Sequence, residues 1–249
     1  MRTYWTLVRR ELASFFLSLT GYIIIAAALF LMGYSFVIIL VKLQKPMPMS
    51  TPITELITPF FWLLLLLTTP MITMRLFALE KFSGTFETLM TAPVSDFQVV
   101  AAKFSAALLF YALMWLPLLG CLLVVQHYAG GKTILDGGVI GGTFLGIMLL
   151  GGLFVSLGCC ASALTQSQVI AAMISLVFGT GIFLLSYLAS QLSAQETWQS
   201  QVLGCFALFD QMRDFARGVV DTRPVVLLVS LTLFFLFLTL RVVESRRWK

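Results

Sequence analysis

The chain has 249 residues, of which 59% are hydrophobic and 11% are charged, and its formal net charge is +5. Its mean hydropathy is +0.99. A soluble globular domain carries roughly 25% charged residues, so the composition excludes a soluble globule and predicts an all-α membrane protein that crosses the bilayer several times.

The amino terminus is predicted to form an amphipathic helix. Its apolar face consists of residues that recur at helical spacing, namely Tyr4, Trp5, Leu7, Val8, Leu12, Phe15 and Phe16. Arg2, Arg9 and Arg10 lie opposite this face, so we expect an interfacial helix on the cytoplasmic leaflet. The apolar run that follows is longer than the core of a secretory signal, which argues against cleavage.

Six apolar segments are long enough to cross a membrane, since a span needs about 20 mostly apolar residues. They are residues 19–41, 57–74, 104–126, 138–164, 169–188 and 224–240. No segment between them is long enough for a second domain, so residues 1–249 are expected to form a single transmembrane domain. In the fourth span Gly138, Gly142 and Gly146 recur every fourth position, which favours close helix packing.

Residues 75–103 form a polar interruption between the second and third spans. Proline disfavours helix in the residue before it, so Pro93 is predicted to end a short helix over Gly84–Met90. Ser95 and Gln98 have the spacing of a capping box, which predicts the start of the next helix. We therefore expect a short cytoplasmic helix, a proline turn and a long helix that enters the bilayer. An ordinary amphipathic loop is the alternative.

Residues 189–223 precede the sixth span and are predicted to contain short external helices. The stretch Cys205–Val220 is amphipathic. Its apolar residues at helical spacing are Phe206, Phe209, Met212, Phe215, Ala216 and Val219. Opposite charges three residues apart, Asp210 with Arg213 and Asp214 with Arg217, favour the same helix. We expect it to dip into the outer membrane interface.

The distribution of charge predicts the orientation of the chain. With six spans both termini share one side, and that side carries ten basic and five acidic residues, whereas the other carries six of each. Basic residues concentrate on the cytoplasmic side, so both termini are predicted to be cytoplasmic. The net positive charge thus reflects topology and the lipid bilayer, and we expect no nucleic-acid partner.

Catalytic, cofactor and metal sites are not predicted in this chain. Gly131, Lys132 and Thr133 resemble the end of a phosphate-binding loop, but Gln126 stands where that motif needs glycine. His127 is the only histidine, and the four cysteines form no C-x-x-C pair. The six apolar segments contain no ionisable residue, which disfavours both an ion-coupled transporter and an intramembrane enzyme.

Several residues together resemble a known family. They are RRELASFF, Gly21 and Tyr22 near the start; Glu80, Ser83, Gly84, Thr85, Glu87, Leu89, Pro93, Val94, Ser95 and Lys103 in the polar interruption; and DQMRDFARGVVDTR and ESRRW towards the end. The chain resembles type-2 (ABC-2 type) ABC transporter permeases over essentially its whole length. The FARGVVD and ESRRW segments are most similar to gliding-motility-associated, GldF-like permeases, with the NosY-like branch related.

The resemblance implies a permease subunit of an exporter in the bacterial cytoplasmic (inner) membrane. ATP and Mg would be bound by a separate ABC ATPase subunit, a second permease would complete a dimer, and an accessory envelope protein is left open. A structural or scaffold subunit of an envelope or gliding-motility apparatus is the alternative. The resemblance specifies a mechanism without a transported substrate.

Two groups of residues follow as hypotheses. For coupling to the ATPase they are Glu80, Gly84, Thr85, Glu87, Leu89 and Pro93. For an outer lid over a path between two permeases they are Phe206, Phe209, Asp210, Arg213, Asp214 and Arg217. In this hypothesis the charge pairs of the lid hold a closed state, while its phenylalanines seal against the outer leaflet or the facing subunit.

Overall fold

The structure is a computed structural model that describes residues 2–43, 53–86, 94–128, 137–192 and 207–247. Within these ranges the secondary structure is helical, without strands, and six helices are long and apolar enough to cross a membrane, which confirms the predicted fold class. The helices are α1 (Arg2–Phe16), α2 (Leu19–Leu43), α3 (Ile53–Thr73), α4 (Ala78–Phe82), α5 (Asp96–Tyr128), α6 (Gly137–Leu164), α7 (Gln168–Leu192), α8 (Leu208–Ala216) and α9 (Thr222–Arg247).

The six long helices extend beyond the predicted apolar segments. The third span, predicted over residues 104–126, belongs to a helix that begins at Asp96. The sixth, predicted over residues 224–240, continues to Arg247. Hydropathy marks only the apolar part of a helix, whereas backbone hydrogen bonding continues into polar sequence. As a consequence Lys103, which the sequence analysis assigned to the polar interruption, lies inside α5.

Helix α6 is the centre of the bundle. It contacts α3, α5, α7, α8 and α9, and every residue from Leu150 to Cys159 is buried. Glycines make these contacts close: a Cβ built on Gly151 would overlap the Tyr111 ring, and one built on Gly158 would overlap Thr73. Small residues at helix interfaces let backbones approach, as the glycine spacing predicted.

A cluster of aromatic side chains connects α3, α5 and α8. Trp62 stacks on Phe209, with ring centroids 5.9 Å apart and an interplanar angle of 11°. Phe61 packs on Trp115 at 5.5 Å, and Tyr111 packs on Trp115 at 6.1 Å. These large side chains fill the space between helices in a way that short aliphatic residues could not.

Helix α1 folds back onto α5 through a tight turn. A Cβ at Gly21 would overlap the carbonyl of Phe15, so glycine is required where the chain reverses. Arg75 holds this turn by donating hydrogen bonds to the hydroxyls of Ser18, at 2.7 Å, and Thr20.

The apolar face of α1 is largely covered by α5. Val8 packs with Ala102 and Ala106, and Phe15 stacks on Phe110 at 4.8 Å. The Tyr4 hydroxyl donates to Ser105 Oγ at 2.8 Å. The predicted amphipathic helix is thus present, but much of its apolar face meets protein.

Substituting Gly158 by alanine should lower the stability of the bundle, because the new methyl group overlaps Thr73, whose hydroxyl donates to the Thr69 carbonyl at 2.8 Å. Overpacking of this kind costs about 1–3 kcal/mol. Gly141→Ala is the matched control on the same helix, since nothing lies within 4 Å of its Cβ position. Thermal unfolding in detergent, followed by circular dichroism, compares the two variants. Equal melting temperatures would contradict the close contact.

Candidate functional site

A buried lysine joins three helices at the end of the bundle where α1, α4 and α5 meet. The Lys103 ammonium lies 2.9 Å from Glu80 Oε1 on α4 and 3.2 Å from Glu11 Oε1 on α1. Its side chain is only 2% exposed, and it lies 5.4 Å from the centroid of the Phe77 ring. A buried charge is costly unless it is paired, and here two carboxylates pair with the Lys103 ammonium. With Arg10, these residues form what we call the charged cluster.

Arg10 forms the exposed edge of the charged cluster. Its guanidinium lies 2.8 Å from Glu11 Oε1 and 3.4 Å from Glu80 Oε1. The hydrogen bond to Glu11 raises the pKa of Arg10 further above its already high value. Because Arg10 is about half exposed, its ion pairs contribute far less to stability than those of Lys103.

The first turn of α4 is fixed to the end of α6. Ser162 Oγ accepts hydrogen bonds from the backbone N–H groups of Phe77 and Ala78, each at 3.1 Å, and donates to the Met74 carbonyl at 3.3 Å. The N–H groups at the start of a helix have no partner within it, and here a serine of another helix supplies one. The Lys81 ammonium also donates to the Ala163 carbonyl.

The segment after α4 is exposed up to Thr85 and returns to the core at Phe86, which is 9% exposed. Residues 82–85 are exposed, and Phe82 is 77% exposed. The predicted helix over Gly84–Met90 is wrong at its start: Gly84 lies in a turn with φ +72, a conformation that glycine adopts readily, and helical structure begins at Thr85. We call residues 82–86 the tip.

The remaining predicted coupling residues, Glu87, Leu89 and Pro93, lie outside the described residues. The predicted start of the next helix is supported by the serine half of the capping box. Ser95 Oγ accepts a hydrogen bond from the Gln98 N–H at 3.3 Å. The structure therefore places two of the predicted coupling residues, Gly84 and Thr85, at the tip and a third, Glu80, in the charged cluster.

The predicted outer helix is present as α8, but its apolar face is covered by the same chain. Met212 and Phe215 are each 1% exposed, and a Cβ on Gly146 of α6 would lie 2.8 Å from Phe215 Cβ. The Phe209 N–H donates to Ser186 Oγ of α7 at 2.8 Å. This corrects the expectation that these residues dip into the outer interface or seal against a facing subunit, because they pack inside their own bundle. Phe206 lies outside the described residues.

The charged residues predicted for the outer lid share the opposite face of α8. Arg213, Asp214 and Arg217 are exposed, and Asp210 is half-buried. Partial burial raises the pKa of Asp214, and the charge of Arg217 is the largest influence that opposes this. Arg217 thus acts on Asp214 electrostatically, as the three-residue spacing predicted.

Sequence reasoning missed the charged cluster itself. Glu11 and Lys103 entered only as charges in the orientation count, although Lys103 also belongs to the residues of the family resemblance. A signal was present: Val99, Lys103, Ala106 and Phe110 recur at helical spacing on one face, so the lysine occupies an otherwise apolar position.

Comparison with protein families identifies the family to which the chain is similar. Residues 18–186, more than half of the chain, match the family described as ABC-2 family transporter protein. The chain belongs to the ABC-2 transporter family. It is a multi-pass membrane protein and a permease component of an ABC transporter. Members of this family are membrane transport subunits, and the family implies an ABC ATPase partner. Among curated proteins, no significant match was found.

The match to the ABC-2 permease family covers the residues that hold α4 against α5 and α6. It includes the five spans α2, α3, α5, α6 and most of α7, together with Glu80, Lys103 and Ser162. Helix α1, which carries Glu11, precedes the matched residues. A buried ion pair between Glu11 and Lys103 thus joins α1 to the matched region.

Replacing Lys103 by methionine should destabilise the permease, since Glu11 and Glu80 would then face each other with only the exposed Arg10 beside them. Removing one partner of a buried ion pair typically costs about 3–5 kcal/mol. The triple variant Glu11→Gln, Glu80→Gln, Lys103→Met buries no charge and should recover most of the loss. Thermal unfolding in detergent measures both.

Arg241→Met is the matched control for the loss of a cation. Arg241 pairs with Glu244 at 3.0 Å, but its side chain is 64% exposed, so this pair should contribute little. If Lys103→Met and Arg241→Met lower the melting temperature equally, the charged cluster has no special structural role.

Proposed function

We propose that this permease is the membrane subunit of an ATP-driven exporter in the bacterial cytoplasmic membrane, with both termini in the cytoplasm. The ATPase subunit binds ATP and Mg and docks on the tip and the residues that follow it. One observation carries the proposal: residues 82–85 of the tip are exposed, while the base of the tip, α4, is fixed by buried contacts to three other helices. The excess of basic residues on the side of the termini supports the orientation.

The contacts at the base give a physical route from the ATPase to the spans. A displacement of the tip reaches α4 first, because the first residue of the tip, Phe82, is the last residue of α4. From α4 it reaches α1 and α5 through Glu80 and Lys103, and α6 through Ser162. Buried ion pairs and hydrogen bonds transmit displacement well because breaking them is costly.

At the far end of α6 the same displacement reaches α8. The contacts of α6 with α4 at Ser162 and with α8 at Gly142 lie 20 residues apart, which corresponds to about 30 Å along a helix. We propose that α8 acts as the outer lid of a translocation path between two permeases in a dimer. Native mass measurement of the purified complex reports whether two permease copies are present.

The GldF-like assignment is a finer proposal that rests on the FARGVVD and ESRRW segments. A motility assay on a strain that lacks this permease tests it. In the scaffold alternative the chain would assemble without coupling ATP hydrolysis to transport, so the ATPase assay below separates the two functions. The transported substrate is left open.

Replacing Glu87 by lysine should uncouple ATP hydrolysis from transport. Glu87 follows the tip directly in the sequence, and an acidic residue there suits a basic partner surface, so reversing its charge disfavours docking. ATPase co-purification and substrate-stimulated hydrolysis are measured in the complex reconstituted in vesicles. Glu244→Lys, a charge reversal near the carboxyl terminus, is the control. Unchanged co-purification and hydrolysis in Glu87→Lys would remove the coupling assignment.

Replacing Arg217 by glutamate should change transport or leak without loss of assembly. The substitution places three acids on the polar face of α8, and like charges at these spacings repel. The buried face, with Met212 and Phe215, is unchanged, so expression and ATPase assembly should be normal. Transport is measured in vesicles beside Arg217→Lys as the charge-conserving control. A parental transport rate would leave α8 as a packing element only.

A further inference from the structure

A cavity of about 580 Å³ opens beside the charged cluster. Its polar lining includes Arg10, Glu11, Arg75, Glu80 and Lys103, with the hydroxyls of Ser14 and Thr85. The same cavity is also lined by Phe15, Leu76 and Leu79, so an apolar wall faces a charged one. A cavity with both kinds of lining suits an amphipathic ligand.

The charges that line the cavity do not balance. Lys103 and Arg10 each lie within ion-pair distance of both Glu11 and Glu80, so these two cations and two acids satisfy one another. Arg75 is the third cation. Among the described residues its guanidinium donates only to the hydroxyls of Ser18 and Thr20, through one terminal nitrogen, and it has no carboxylate partner. Among the described residues, the lining therefore carries one positive charge in excess.

The position of Arg75 identifies the kind of anion that can reach it. Arg75 follows the apolar span α3 by two residues, and its partners Ser18 and Thr20 stand at the start of the span α2. Leu17 and Leu19, on either side of Ser18, are 87% and 78% exposed. Exposed leucines at the end of a span contact lipid, so the hydroxyl partners of Arg75 lie where lipid headgroups meet the acyl chains.

We propose that this cavity binds the phosphate of an anionic phospholipid headgroup, with Arg75 as its charged partner. Arginine presents several N–H donors in a plane that matches phosphate oxygens, and basic pockets between helices at the membrane surface bind lipid headgroups. Phe15, Leu76 and Leu79 accommodate the start of an acyl chain. The site is independent of the ATPase, and it connects the lipid leaflet to the tip through Thr85.

The test uses the full chain, purified in detergent and depleted of lipid. Short-chain phosphatidylglycerol, short-chain phosphatidylcholine and inorganic phosphate are titrated separately, and bound ligand is counted by native mass spectrometry. Arg75→Gln should weaken phosphatidylglycerol binding about fivefold, the typical contribution of one basic residue near a membrane surface. Arg9→Gln is the control: it removes the same charge from an exposed residue of α1 that does not line the cavity.

Each outcome decides the proposal. Equal phosphatidylglycerol affinities for Arg75→Gln and Arg9→Gln would overturn it. Arg75-dependent binding of inorganic phosphate as tight as that of phosphatidylglycerol would overturn the lipid as the source, and equal binding of phosphatidylcholine would overturn the anionic headgroup. If Arg75→Gln fails to fold because the turn at Ser18 is lost, Arg10→Gln decides in its place, since Arg10 lines the same cavity and its replacement also removes one positive charge from the lining.

Discussion

The neutralisation of one buried lysine organises the end of the bundle where α1, α4 and α5 meet. Lys103 is only 2% exposed, and two carboxylates from different helices pair with its ammonium, which offsets the cost of burying its charge. Glu11 brings α1 back across α5, and Glu80 sets the direction of α4. The hydrogen bonds from Ser162 and the turn held by Arg75 then fix the same elements to α6 and α2. These contacts hold α4 in place and so define the position from which the tip begins.

The fold could be predicted because six long apolar segments can be counted without knowledge of any contact. The site could be predicted only in part. Lys103 was assigned to the polar interruption because it lies before the apolar part of the helix, although its spacing with Val99 and Phe110 showed that it occupies an apolar face. Periodicity identified the apolar face of α8, but periodicity does not specify what covers it. The partner of Phe215 is Gly146, and that contact arises only in the folded bundle.

Helix α6 gives the bundle its continuity between the two membrane surfaces. Glycines of α6 lie against Thr73 near one end of the helix and against Phe215 near the other. Helices α3 and α8 are therefore both positioned by contacts with α6. Closely packed interiors transmit strain because they have little free volume to absorb it. A change in the position of α4 is therefore more easily accommodated by moving α6 as a body than by deforming it.

The folding-back of α1 has a consequence for the order in which the chain is made. Tyr4 and its partner Ser105 are separated by 101 residues, so α1 leaves the ribosome well before α5 exists. At about 5–20 residues per second, this interval is roughly 5–20 s. During that time the apolar face of α1, including Val8 and Phe15, has no protein partner and can rest on the bilayer surface. The amphipathic pattern of α1 thus suits two successive environments. The first is the bilayer surface, while the chain is being synthesised, and the second is α5.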